Sequence, residues 1–173
     1  MAHFLTLVVV FLFCVASSYA ANDVDVQDLC NKTKYPSFCV TLLKSKPGNV
    51  GGDLVSLAKY SVDVLNTNAT NTVALIKKLI AQSRGDPKKQ GHYKDCLDHF
   101  GEDGILGDIL EVRLLLKSSD YQGVNVHMGG VMTNVDDCLS GDSSDTSLLP
   151  KYADDVNKVA DIILIIAAIL LQK

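Results

Sequence analysis

The chain has 173 residues, of which 47% are hydrophobic and 21% charged, with no tryptophan and a formal net charge of −4. That is one domain's worth of material with enough apolar mass to bury a core. The acidic balance argues against binding driven by a nucleic-acid backbone, which needs a basic patch, and suits a basic protein partner better.

At the start of the chain, Phe4 to Val15 is nearly unbroken hydrocarbon, followed by small residues and the triplet Ser18-Tyr19-Ala20. The run is short for a membrane span and ends in a cleavage-like site, so residues 1–20 are predicted to be a secretory signal peptide. Cys14 leaves with that segment. Cys30, Cys39, Cys96 and Cys138 remain, an even count that reads as two disulfides in an oxidising compartment. The sequons Asn31-Lys32-Thr33 and Asn68-Ala69-Thr70 mark Asn31 and Asn68 as glycosylation candidates on the same route.

Residues 24–48 are predicted to form a short helical hairpin, with Cys30 and Cys39 on either side of Lys34-Tyr35-Pro36. Residues 53–173 are predicted to be a four-helix bundle. After Asp53, a plausible N-cap, Leu54, Ala58, Ser61, Leu65, Ala69, Thr72, Ile76 and Leu79 recur at steps of three and four. Gly85 ends that helix, and Asp86-Pro87 starts the next with a cap and a proline at the first position.

The second bundle helix, about residues 88–117, places Tyr93, Leu97 and Phe100 and then Ile105, Ile109, Val112 and Leu116 on its core side, with Leu106, Leu110 and Leu114 beside them. Gly101, Gly104 and Gly107 interrupt it. Each costs about 1 kcal/mol relative to alanine, so a bend or a loosened turn is expected there rather than a complete break. From Asp120, the stripe Tyr121, Val124, Met128, Val131, Val135 and Cys138 marks a third helix. After a polar linker (residues 140–147), Pro150 opens a fourth, with Tyr152, Val156, Val159, Ile163, Ile166 and Leu170. Its apolar stretch from Ile162 to Leu171 is too short to span a bilayer.

Four helices with short connections imply an all-α, antiparallel up-down-up-down bundle preceded by the hairpin. That arrangement favours the pairings Cys30–Cys39 and Cys96–Cys138, the second crossing from helix to helix.

A search for chemistry yields little. HExxH, GxSxG, a P-loop and GxGxxG are all missing from the sequence. Gly101-x-x-Gly104-x-x-Gly107 has the wrong spacing for a phosphate loop. His92 and His99 sit seven apart near Asp95 and Glu102, and read as a solvated polar face with contacts such as Asp95 with His99, rather than as a metal site. His127 reads as isolated. The prediction is a protein that is not an enzyme and uses no metal or cofactor.

The ordered set Cys30-x8-Cys39 with Pro36, Asp86-Pro87, Tyr93-Lys94-Asp95-Cys96, Lys117-Ser118-Ser119-Asp120-Tyr121 and Asn134-Val135-Asp136-Asp137-Cys138 resembles the plant invertase/pectin methylesterase inhibitor family over about residues 24–171. The resemblance implies secretion to the plant cell wall and inhibition of a carbohydrate-active enzyme through a 1:1 complex formed by a monomer. Membrane and nucleic acid are not among the implied partners. Invertase inhibitors commonly carry Pro-Lys-Phe where this chain has Tyr121-Gln122-Gly123, so the resemblance favours pectin methylesterase as target, with acid invertase as the alternative. A non-inhibitory secreted bundle that carries a ligand is the alternative of another class. In the favoured branch, acidic side chains of the second and third bundle helices lie across the esterase's substrate groove, which makes Asp98, Glu102, Asp136 and Asp137 the candidate target-binding residues. The chain departs from the branch at Asp137, at Gly129-Gly130 and at the central glycines.

Overall fold

A computed structural model describes residues 24–48, 53–141 and 145–173. The predicted signal peptide, residues 1–20, lies outside the described residues. Seven helices occupy them: α1 (Val26–Cys30), α2 (Pro36–Lys44), α3 (Leu54–Gln82), α4 (Pro87–Phe100), α5 (Ile105–Ser118), α6 (Tyr121–Ser140) and α7 (Leu149–Leu170). Among the described residues, no helix is long and apolar enough to cross a membrane.

The caps follow from local chemistry. Asp53, Asp86 and Asp120 each accept a backbone N–H three residues on, from Ser56 at 2.8 Å, Lys89 at 3.1 Å and Gly123 at 2.9 Å. Helix α5 stops where Ser119 turns left-handed at φ 59°, and the Asp120 N–H closes the end on the Leu115 carbonyl at 2.9 Å.

The second bundle helix is broken where a bend was expected. Helix α4 ends at Phe100 and α5 begins at Ile105. Across the turn the Gly104 and Leu106 N–H groups both donate to the Gly101 carbonyl, at 3.2 and 3.1 Å. The chain folds so tightly there that a Cβ on Gly104 would stand 2.1 Å from the His99 carbonyl oxygen, and one on Gly107 would stand 2.1 Å from that of Glu102. These glycines are therefore required by close backbone approach. Both α4 and α5 pack on α3 and on α6, so together they form one column of the bundle.

Helix α7 completes the square by packing on α3 and α6, while α1 and α2 rest mainly on α7. The core combines Leu57, Leu65 and Ile76 of α3, Phe100, Ile105 and Ile109 of the broken column, Met128 of α6 and Ile162, Ile163 and Ile166 of α7, all fully buried. Of the apolar positions expected on or beside the core stripes, three are exposed: Leu110 and Leu114 are more than half exposed, and Tyr152 yields its expected core place to Ala153. The hairpin is tied down by Asp161 of α7, a buried carboxylate that accepts the Lys34 N–H at 2.8 Å. Nearby, Lys158 pairs with Asp154 and lies over the rings of Tyr35 and Phe38, at 5.3 and 5.7 Å. The Asp154 hydrogen bond holds the Lys158 ammonium above the usual lysine range.

Disulfides join Cys30 to Cys39 and Cys96 to Cys138, with Cα separations of 5.5 and 4.6 Å. The first clamps the hairpin; the second fastens α4 to α6.

Candidate functional site

The seam between the α4–α5 column and α6 carries most of the polar side chains singled out by sequence. Helix α6 presents a stripe to this seam at three- and four-residue steps. Gly123 approaches Leu115, His127 bonds Asp108, Gly130 approaches Asp108, Asn134 bonds His99, and Gly141 approaches His92. Asp137 falls in the same stripe, between Asn134 and Gly141, and is exposed.

Helix α4 mirrors this arrangement. His92 and His99 face α6, and Asp95, exposed, lies between them. The helices run antiparallel, with His92 opposite Gly141 and His99 opposite Asn134. Asp95 and Asp137, each next to a bridged cysteine in sequence, both fall near the level of the Cys96–Cys138 bond. Two carboxylates thus flank a covalent tie on the outer surface.

Of the predicted residues, Asp98 is exposed on α4 and points almost directly away from the core, 200° round the helix from buried Cys96. Glu102 is exposed but lies in the turn after α4, beyond its last helical residue. Asp136 shares the flank of Met132 and Leu139, on the far side of α6 from Asn134. Of the four, Asp137 lies on the seam, Asp98 and Glu102 are exposed on the outer side of the α4–α5 column, and Asp136 lies off the seam on α6. Asp95, exposed beside Cys96, is the acidic residue that the candidate set left out. Its signal was available, because it immediately precedes Cys96 in sequence and so lies beside the 96–138 tie.

The histidines differ from the expected solvated face. His92 is buried, with Nε2 3.9 Å from the Cys96 sulfur, because it stands one turn before that cysteine. His99 turns to Asn134. The Asn134 amide donates to the Gly130 carbonyl at 3.1 Å, so its oxygen accepts from His99 Nδ1 at 3.0 Å. His127 is not isolated, since its Nδ1 donates to Asp108 Oδ1 at 2.7 Å across the seam. Gly130 makes room for that pair, as a Cβ there would meet Asp108 Oδ2 at 3.0 Å. Among the described residues, no three His, Cys, Asp or Glu side chains are grouped to hold a metal ion.

Both sequon asparagines are described. Asn31 is exposed at the end of α1, where its side chain accepts from Gln27 at 3.1 Å. Asn68 is half-buried on α3, beside a shallow recess shared with Tyr152 and Asp155 of α7.

The family model for plant invertase/pectin methylesterase inhibitors matches residues 24–169, which takes in every described helix but the last residue of α7. The chain belongs to this family. The pectinesterase inhibitor of Actinidia deliciosa is 26% identical over 171 residues, covering 96% of this chain and 91% of that protein. Pectinesterase inhibitor 1 of Arabidopsis thaliana is 30% identical over 129 residues, 75% of this chain and 70% of that protein. A crystal structure of a mutant form of a pectin methylesterase inhibitor from Arabidopsis superposes with a TM-score of 0.72 at 26% identity, over 81% of this chain and 93% of that one.

The family and these relatives are inhibitors, not enzymes. The seam is a braced surface. Its backbone is held by helices, a disulfide and two cross-seam histidine contacts, which leaves the outer carboxylates on a pre-organised frame.

Proposed function

We propose that this protein is a secreted inhibitor of pectin methylesterase that lays its α4–α6 seam over the esterase's pectin-binding cleft in a 1:1 complex. One observation supports the reading: Asp95, Asp98, Glu102 and Asp137 are all exposed, and within six residues of a cysteine of the disulfide that ties α4 to α6 they make up an acidic strip. The pectinesterase-inhibitor relatives support the choice of target.

The mechanism needs no catalytic group. A rigid helical face that occupies the cleft excludes the polymer sterically. The carboxylates speed encounter with a basic groove and set the orientation, an effect that added salt weakens. Pre-formed helices keep the entropic cost of docking low. A secreted inhibitor of this kind meets its target in the plant cell wall, the compartment that two disulfides suit.

The test is residual activity of a plant pectin methylesterase and a cell-wall invertase, each mixed with the purified protein at mildly acidic pH. Loss of esterase activity alone, saturating at one inhibitor per enzyme, is expected. Loss of invertase activity alone would transfer the target to the other enzyme named by the family. If neither enzyme slowed, inhibition would be refuted for both.

A further inference from the structure

The opposite flank of the α4–α5 column carries charge of the other sign. Between α3 and α5 lies a cleft of 310 Å³ lined by Lys59, Val62, Asp63, Arg113, Leu116 and Lys117. Three cations face one carboxylate there, in a chain whose net charge is −4. Lys59 and Asp63 are one turn apart on α3, and Arg113 and Lys117 one turn apart on α5, so charge lines about 6 Å of each wall. Val62 and Leu116, both buried, make an apolar floor.

The Arg113 guanidinium is only partly used. Its Nη2 donates to Asp63 Oδ1 at 2.8 Å, while its Nε is buried and has no acceptor among the described residues. Asp63 offsets one positive charge and leaves Lys59 and Lys117 exposed at the mouth. A planar carboxylate matches the fork of a guanidinium, and ammonium groups add charge-assisted hydrogen bonds.

We propose that this cleft binds the carboxylates of a polyuronate chain, the de-esterified form of the polymer on which the proposed target acts. The choice of polymer rests on the inhibitor reading; the cationic cleft does not. Successive uronate carboxylates reach Lys59, Arg113 and Lys117, and the C–H face of a sugar ring lies along the aliphatic stems of the two exposed lysines. Methyl esterification removes the charge and with it the attraction. The inhibitor is thereby retained on wall polymer that the esterase has already processed, and the acidic strip on the other flank stays free.

The purified protein is titrated calorimetrically with a galacturonate oligomer of defined length, its fully methyl-esterified counterpart and a glutamate peptide of equal charge. The free-acid oligomer is expected to bind, more weakly as salt rises. The ester is expected not to bind, and the peptide to bind at least about tenfold more weakly, lacking a sugar ring to lie along the lysine stems. Lys59→Gln with Lys117→Gln, both exposed and so harmless to folding, is expected to weaken the oligomer about tenfold or more, and Arg113→Gln likewise.

No binding of the free acid, equal binding of the ester or unchanged affinity of the double variant would each overturn the proposal. Equal binding of the glutamate peptide would overturn it in favour of an acidic protein partner. Esterase inhibition is measured in parallel on the same samples. Oligomer binding without inhibition sinks the proposed function and keeps the cleft, and inhibition without oligomer binding does the reverse.

Discussion

Three glycines show how much one hydrogen in place of a methyl group decides. At Gly104 and Gly107 an added Cβ would stand 2.1 Å from a backbone oxygen, and neither neighbour can swing away as a side chain would. Gly104→Ala and Gly107→Ala are each expected to cost at least about 1–3 kcal/mol. For a chain of this size that lowers Tm by roughly 3–10 °C in thermal unfolding followed by circular dichroism. Gly129 is the control: nothing lies within 4 Å of its would-be Cβ, inside α6. Gly129→Ala is expected to raise stability by about 1 kcal/mol. Equal effects at all three sites would show that the tight turn at 101–104 is absent. Sequence alone marks these positions as helix-weakening without separating them, because the distinction lies in carbonyl oxygens brought close by folding. The same limit hid the His127–Asp108 and His99–Asn134 pairs, whose partners are 19 and 35 residues apart.

At the scale of elements, the most legible features are those written in short-range chemistry. Asp53, Asp86 and Asp120 cap as their positions demand, and the apolar stripes of α3 and α6 turn inward along most of their length. The break between α4 and α5 was half legible, since glycine content signals weakness but only the contacts of both segments with α3 and α6 show that the column survives it. How the hairpin docks could not be read from sequence, because it depends on Asp161 meeting a backbone N–H 127 residues away. Asp161→Ala removes the acceptor of the Lys34 N–H. It is expected to cost about 1–3 kcal/mol. Amide exchange should speed up at Lys34 and through α1 and α2 while amides of the α3 and α7 core keep their protection; uniform acceleration would contradict a local tether. The Lys158–Asp154 pair adds to the same region. Because the Lys158 pKa is raised on folding, this contribution is complete below the unfolded lysine pKa of 10.5 and fades only as pH climbs through the higher folded value. On the lysine side, mild acid therefore leaves the pair intact.

At the scale of the whole molecule, the Cys96–Cys138 bond does two things. It closes a 42-residue separation, which on the chain-entropy account removes about 4 kcal/mol of unfolded-state freedom. It also fixes how α4 and α6 lie against each other beside Asp95 and Asp137. Cys138→Ser is expected to lose most of the thermal margin, and an unchanged Tm would contradict that role. Sequence gave the bundle and the acidic residues readily. It could not sort Asp136 from Asp137, which are neighbours in the chain and point about 100° apart round one helix.

The central claim is that the acidic strip is the surface that meets the esterase. Its most direct test is the inhibition constant against pectin methylesterase, at low and moderate salt, of the triple variant Asp98→Lys, Glu102→Lys, Asp137→Lys. The control is Lys77→Glu with Lys78→Glu, exposed on α3 away from the seam. The strip variant is expected to lose inhibition by about a hundredfold or more, with a flattened salt dependence, while the control stays within about threefold of the parent. An unchanged inhibition constant in the triple variant, with its fold and both disulfides intact, would contradict the account.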